Sequence, residues 1–408
     1  MLETKVHSLI DKVYHRRNLE IAWKKVKSNK GSGGVDNESI ESFHVNEEKN
    51  LMELYEELRE GSYSSTAVKR MYIEKPGKSK EKRPLGIPII KDRVCQQALK
   101  NRLEPIMEKN FNECSYGYRP GRSTHQAMRK IWKDINEGNL WIVDADLSDY
   151  FGTVNHELLI KLVARKISDG KVLKLIRNML VAGYMEDGKL FPSVKGTPQG
   201  SVISPLLSNI YLTPFDNLMT EAGYRLTRYA DDWVVVCKSK AEAEQALKKE
   251  KQILGKLGLK INPDKTRITH VKWGFDFLGY TIRQGIGHTL AQHKRSSRAN
   301  AMNLYAIPKE KSVDKFRNEI RRRTRRRLPL TLKELVDSIN SVIRGWGNYF
   351  RKANVRKLFN QLDRWIVRRL WSHRYKRWRN AGWKKYPAKD LYQKYGLVRL
   401  TGLIPSLQ

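Results

Sequence analysis

From Val355 onward, apolar residues recur at Leu358, Phe359, Leu362, Trp365, Ile366, Leu370 and Trp371, offsets of 3, 4, 7, 10, 11, 15 and 16. That spacing predicts one face of an α-helix. Trp365 and Trp371 fall on the apolar face and are expected to pack in a core. Arg356, Lys357, Arg364, Arg368 and Arg369 fall on the other face. Upstream the period changes. The stretches 233–236, 259–261 and 277–280 read as strands, and residues 241–257 between the first two read as a helix. Residues 61–225 mix short apolar strands with helices. Residues 1–60 read as largely helical, broken at Gly31-Ser32-Gly33-Gly34, a loop glycine makes easily. From about residue 310 the chain reads as helical and very basic.

Charge changes the picture. The 408 residues carry 79 Lys+Arg against 43 Asp+Glu, a formal net charge of +36. A compact fold is strained by that much self-repulsion. A polyanionic partner explains it, nucleic acid first and an anionic membrane surface second. The run Arg321-Arg322-Arg323-Thr324-Arg325-Arg326-Arg327 precedes the amphipathic helix and is too one-signed for a merely solvated face. No apolar run reaches the length of about 18 residues that spans a bilayer. The amphipathic N-terminus has no apolar signal core, and its acidic residues argue against a transit peptide. Cys95, Cys114 and Cys237 form no Cys-x-x-Cys pair, so neither zinc nor a disulfide framework is expected. A reducing compartment, the cytoplasm, is expected.

Candidate chemistry lies in two acidic points on apolar strands. Tyr229-Ala230-Asp231-Asp232 sits between Leu226-Thr227-Arg228 and the apolar run at 233–236, as in a tight hairpin. By itself an Asp-Asp pair reads as an ordinary turn. A second cluster, Trp141-Ile142-Val143-Asp144-Ala145-Asp146-Leu147 followed by Ser148-Asp149-Tyr150-Phe151, alters that. Carboxylates at the end of an apolar strand are costly unless paired or bound to metal. Together the clusters can hold two divalent cations about 4 Å apart, the spacing for in-line phosphoryl transfer. Hard oxygen ligands suit Mg2+, with Mn2+ as a possible substitute.

The ordered set of motifs resembles the reverse transcriptases encoded by group II introns, over nearly the whole chain. Tyr229-Ala230-Asp231-Asp232 and the Asp-x-Asp-Leu-x-x-x-Phe run before it resemble the palm. Ser115-Tyr116-Gly117-Tyr118-Arg119-Pro120-Gly121-Arg122-Ser123 resembles a segment found before the first catalytic carboxylate in bacterial retroelement enzymes. Leu85-Gly86-Ile87-Pro88 and Asp92-Arg93 match the fingers. Gly196-Thr197-Pro198-Gln199-Gly200 and Ser204-Pro205-Leu206-Leu207-Ser208-Asn209 resemble the segment against template and nucleotide. Leu257-Gly258-Leu259-Lys260-Ile261-Asn262 with Lys265-Thr266 resembles the strand and lysine after the catalytic hairpin. Ile343-Arg344-Gly345-Trp346-Gly347-Asn348-Tyr349-Phe350 resembles the maturase, or thumb, domain.

The resemblance implies an α+β right-hand polymerase with an antiparallel palm sheet, followed by an all-α thumb/maturase domain. Its divisions are an N-terminal extension and start of fingers (1–60), fingers (61–140), palm (141–290), thumb/maturase (291–379) and a short basic segment (380–408). It implies catalytic Asp146, Asp231, Asp232 and Lys265, the lysine protonating pyrophosphate, and a metal set of Asp146, Leu147, Asp231 and Asp232. Asp144 is expected to be structural. Lys75, Arg83, Phe151, Gln199 and Gly200 are implied at the nucleotide, with Phe151 excluding a 2′-hydroxyl. Phe277, Leu278, Gly279 and Tyr280 resemble the primer grip. Arg321, Arg322, Arg323, Arg325, Arg326, Arg327, Arg344, Arg368 and Arg369 are implied to bind RNA. His125 is expected to be structural, and Trp378 and Trp383, among Arg and Lys, are stacking candidates.

The implied activity is RNA-directed DNA synthesis on a DNA primer from deoxynucleoside triphosphates, together with splicing support and retrohoming of an intron RNA. As monomer or dimer the chain remains open. The zinc endonuclease of many relatives is not expected here, which suggests priming by a nascent strand at a replication fork. Ser201 stands where glycine is more usual, and its small side chain is expected to preserve polymerisation. The rivals are a host-adopted enzyme for phage defence, DNA repair or spacer acquisition, a catalytically silent RNA-binding splicing factor, and an RNA-dependent RNA polymerase. Phe151 speaks against the last, and the intact aspartates and Gln199 speak against the silent factor.

Overall fold

The apolar run at 233–236 lies inside the strand Asp232–Cys237, which hairpins with Arg225–Tyr229. Trp141–Ala145 pairs antiparallel on the other side of Asp232–Cys237, and Arg267–His270 follows it in the sheet. Alternation sorts the side chains. Val143, Ala145, Trp233, Val235 and Cys237 join the main core, against the helices Ser204–Glu221 and Lys240–Lys256. The Phe215 and Trp233 rings meet at 5.2 Å. Ile142, Val234 and Val236 are buried too, in a sheet that also packs on the helix Thr124–Asn136. Replacing Trp233 with Ala here costs about 3–5 kcal/mol.

The computed structural model describes residues 5–75, 78–285, 304–375 and 387–405, leaving aside the side chains of 75–81. The fold is mixed α/β, and the chain divides into two units, Met1–Ile268 and Thr269–Gln408. In the first, a second sheet runs Lys78–Ile87, Val68–Lys75, Tyr184–Glu186 and Lys189–Phe191. Its middle pair is parallel and its outer pairs antiparallel. The N-terminal helices Arg16–Asn29 and Glu47–Glu60 pack with Ile90–Glu108, and buried Asn18 ties two of them by donating to the Val13 and Ala98 carbonyls.

In the second unit a three-stranded sheet, Leu304–Pro308, Tyr280–Gln284 and Phe275–Phe277, precedes the helices Glu310–Arg323, Leu332–Phe350 and Arg356–Tyr375. Trp346 stacks on Phe316 at 4.5 Å and lies 5.7 Å from Phe359. The Asp363 carboxylate accepts from the Leu400 and Thr401 amides, binding the C-terminal segment to the last long helix.

Three expectations need correcting. Residues 259–261 form no strand: only Ile261 bridges, to Leu147. Residues 277–280 are strand only at their ends: Phe277 closes one strand and Tyr280 opens the next, the two pair with each other, and Leu278 and Gly279 turn between them at φ of 49° and 76°. A stretch of three or four residues carries too little periodicity to separate a strand from a turn. Trp371 is buried, but Trp365 is half-exposed, with the Arg321 and Arg369 guanidiniums 5.8 and 5.6 Å from its ring.

Candidate active site

Tyr229 and Asp232 are the last paired residues of their hairpin, so Ala230 and Asp231 form a two-residue loop. Such loops call for left-handed backbone, and Ala230 adopts φ 61°. For a residue with a Cβ this costs about 1–3 kcal/mol and persists where its surroundings hold it. Two neighbours hold it. Gly117 lies so close that a Cβ there would stand 2.3 Å from the Ala230 nitrogen. Arg228, with no exposed surface, donates to the Ala230 carbonyl at 2.7 Å, to both Asp216 oxygens at 2.6 and 2.5 Å, and to Asn209 Oδ1 at 3.0 Å. Burial alone pulls its guanidinium down, but Asp216 outweighs that and raises it.

The other carboxylate arrives on the neighbouring strand. Past Ala145, the Asp146 carbonyl accepts from the Asn262 amide at 2.8 Å, and the Ser148 amide donates to the Lys260 carbonyl at 2.9 Å. This pairing delivers Lys265, whose Nζ lies 2.5 Å from Asp146 Oδ2. With the side chains 62% and 39% exposed, the pair contributes about 0–1 kcal/mol to stability. Asp144 engages Arg267 at 3.0 Å. Burial pushes the Asp231 carboxyl above its ordinary range and Asp146 adds to the push, while Arg83 and Arg228 oppose it. Asp146 and Asp231 thus feel each other. Among the described residues no three of His, Cys, Asp and Glu gather as a metal cage. Mg2+ does not need one, since it takes one or two carboxylates and completes its shell with substrate phosphates and water. Ala145 pairs with Trp233 and Tyr229 with Asp232, so Asp146 and Asp231 stand at neighbouring strand ends, and two carboxylates so placed fit such an ion.

The second sheet brings Arg83 to this place. Its Nε donates to Gln199 Oε1 at 2.5 Å, and its guanidinium lies 5.9 Å from the Phe151 ring. Gly200, at φ 114°, passes so close to the strand Lys78–Ile87 that a Cβ would stand 2.6 Å from the Gly86 carbonyl oxygen. The Gly86 amide donates to the Gln199 carbonyl at 2.7 Å, and the Thr197 amide to the Phe151 carbonyl at 2.7 Å. A cavity of about 410 Å³ opens here, lined by Arg70, Asp149, Phe151, Tyr184, Pro198 and Gln199 among others. The Lys75 side chain lies outside the described residues. Asp232 opens its strand beside buried Trp233, and Leu147 is buried next to Asp146.

In the second unit, the Tyr280 hydroxyl donates to the Tyr349 carbonyl at 2.5 Å and the Tyr349 hydroxyl to the Leu278 carbonyl at 2.8 Å. The turn at 277–280 is thereby tied to the helix Leu332–Phe350. Arg321, Arg322, Arg325, Arg326, Arg327, Arg344 and Arg368 are exposed, whereas Arg323 and Arg369 are half-buried. Arg322 and Arg323 pair with Glu319 at 2.7 and 2.5 Å. Trp378 and Trp383 lie outside the described residues.

The sequence reading missed Arg228, Asp216 and the role of Asn209. One signal was available: Arg228, three residues before Asp231, falls on a strand otherwise due for burial, where an arginine needs a buried acid. Arg70, which lines the cavity, was also missed, and nothing local marks it.

Residues 73–282 match the family described as reverse transcriptase (RNA-dependent DNA polymerase), and residues 313–392 match the group II intron, maturase-specific domain. Protein YkfC of Escherichia coli is 34% identical over 68% of this chain and 81% of its own length. The group II intron-encoded protein LtrA of Lactococcus lactis is 29% identical over 84% of this chain and 69% of its own. Nuclear intron maturase 2 of Arabidopsis thaliana is 28% identical over 45% of this chain and 30% of its own.

Proposed function

This chain belongs to the reverse transcriptases and carries a group II intron maturase-specific domain, and from that premise we propose how its residues perform the reaction. The chain is an RNA-directed DNA polymerase with maturase function. In our reading the first unit supplies fingers and palm, and the second supplies primer grip and thumb. What supports the site is the strand pairing that sets Asp146 and Asp231 at neighbouring strand ends, together with the cluster of Arg83, Gln199 and Phe151.

Asp146 and Asp231, helped by Asp232 and Leu147, would hold Mg2+, which would supply Lewis acidity at the primer 3′-hydroxyl and charge stabilisation at phosphorus. Arg83 exchanges Gln199 for the triphosphate, a bidentate match for its planar fork, and Lys75 adds a point charge. Gln199 then faces the nucleotide, with Gly200 allowing the close approach. Phe151 lies under the sugar and excludes a 2′-hydroxyl. Lys265, held at Asp146 Oδ2, gives a proton from Nζ to the leaving pyrophosphate. The template is an intron RNA, and the arginines from Arg321 to Arg369 bind its backbone in splicing as in copying.

Primer extension on an RNA template with Mg2+ and deoxynucleotides tests this, comparing native protein with Asp231→Ala. Extension by the native chain and background synthesis by the variant, at equal RNA binding, is the expected result. Equal extension by both would remove Asp231 from the chemistry. Phe151→Ala is expected to incorporate ribonucleotides, and continued rejection would remove Phe151 as the sugar gate.

A further inference from the structure

We propose that Arg228, Asp216 and Asn209 form a positioning device for the aspartate turn, in which the Arg228 guanidinium pins the Ala230 carbonyl and so sets where the Asp231 carboxylate stands. The inference rests on the polymerase reading of that turn.

Stability alone does not explain the device. A buried ion pair is often replaced by apolar residues without loss, so its presence asks for another reason. Arg228 spends four donor contacts, two on Asp216, one on Asn209 and one on Ala230. Asp216 and Asn209 both lie on the helix Ser204–Glu221. A planar guanidinium with both ends engaged fixes direction as well as distance, so it locks the turn to that helix. Asn209 also acts on the turn's other side, donating through Nδ2 to the Gly117 carbonyl at 2.8 Å. Gly117 in turn packs on the Ala230 nitrogen. The Ala230 residue is therefore clamped at its amide by Gly117 and at its carbonyl by Arg228. Asn209 joins the two clamps, and the left-handed φ of 61° follows from both.

Asn209→Ala is the deciding variant, because it loosens both clamps yet leaves the Arg228–Asp216 pair. Arg228→Lys keeps the charge but loses the planar fork. Each is measured for unfolding midpoint, for Mn2+ affinity by electron paramagnetic resonance, and for the maximal rate and nucleotide KM of primer extension. The expected result is folded protein with Mn2+ affinity and maximal rate each down about tenfold, and nucleotide KM close to native. Arg228→Lys is expected to show the same pattern more strongly, and if it does not fold, Asn209→Ala decides alone. Folded Asn209→Ala with native rate and native Mn2+ affinity would overturn the proposal, as would failure of Asn209→Ala to fold, which would make the residue purely structural. If native protein makes no DNA, the polymerase reading fails, and the Mn2+ measurement still judges the positioning.

Discussion

Arg228 and Arg322 are the same side chain put to opposite uses. Arg228 is fully buried with a buried acid, and its donors end on the backbone and side chains around one turn. Arg322 is 60% exposed and pairs with Glu319 one helical turn away, in a stretch where further arginines face solvent. The buried cation organises geometry, since in a dry site every donor must find a fixed partner. The exposed cations, even where they are paired at the surface, keep their charge at the water and act through its sum, which salt weakens. A basic polymerase needs both, and only burial tells them apart.

The contrast breaks most readily at Asp216. Asp216→Ala leaves Arg228 buried without its acid and is expected to cost about 3–5 kcal/mol in urea unfolding. A loss below about 1 kcal/mol, the surface-pair range, would mean that Arg228 reaches water after all. The exposed side is sharpened by replacing Arg321, Arg322 and Arg325 with Gln together. The slope of log affinity against log salt for RNA is expected to fall by about 2–3, with each lost phosphate contact taking about 0.7–0.9. Unfolding and the extension rate at saturating template are expected to stay native. An unchanged slope would remove these arginines from the RNA surface.

The smallest effect concerns a buried acid that has no arginine. Glu250 accepts from Trp233 Nε1 at 3.2 Å, and burial pushes its carboxyl up to about 8. The folded state therefore keeps a proton that the unfolded chain releases near its ordinary value of 4.5. The associated stability is fully present below that value and is lost as pH rises through about 8, by linkage. Glu250→Gln keeps the acceptor without the charge. At pH 9 it is expected to be more stable than native protein in urea unfolding, with the difference closing as the pH falls to about 4.5. Parallel pH profiles would show that Glu250 is ionised in the fold.

Much of the first sheet could be read in advance. The run at 233–236 and the aspartates before it carry a hairpin pattern, and the helix Arg356–Tyr375 follows the apolar spacing from Val355. Leu259 and Phe277 mark where that method ends, because three or four residues do not fix a period. Trp365 shows another limit. Its spacing puts it on the apolar stripe, but the stripe's edge lies under two guanidiniums. Arg228 escaped notice because its one signal, an arginine on a strand due for burial, is faint in a chain with 79 basic residues. Only Asp216 on a packed helix distinguishes it.

The sequence by itself determined the family, through motifs in order, the need for a polyanionic partner, through net charge, and the longer helices, through periodicity. These are local or summed properties, and folding does not alter them. The tertiary structure decided who meets whom. Lys265 reaches Asp146 across 119 positions and Arg83 reaches Gln199 across 116. Such pairs depend on how sheets and helices stack, which no local propensity encodes. The left-handed Ala230 belongs with them, because alanine does not choose that backbone unaided, and it is imposed by Gly117 from a distant stretch of chain and by Arg228 braced on the helix Ser204–Glu221.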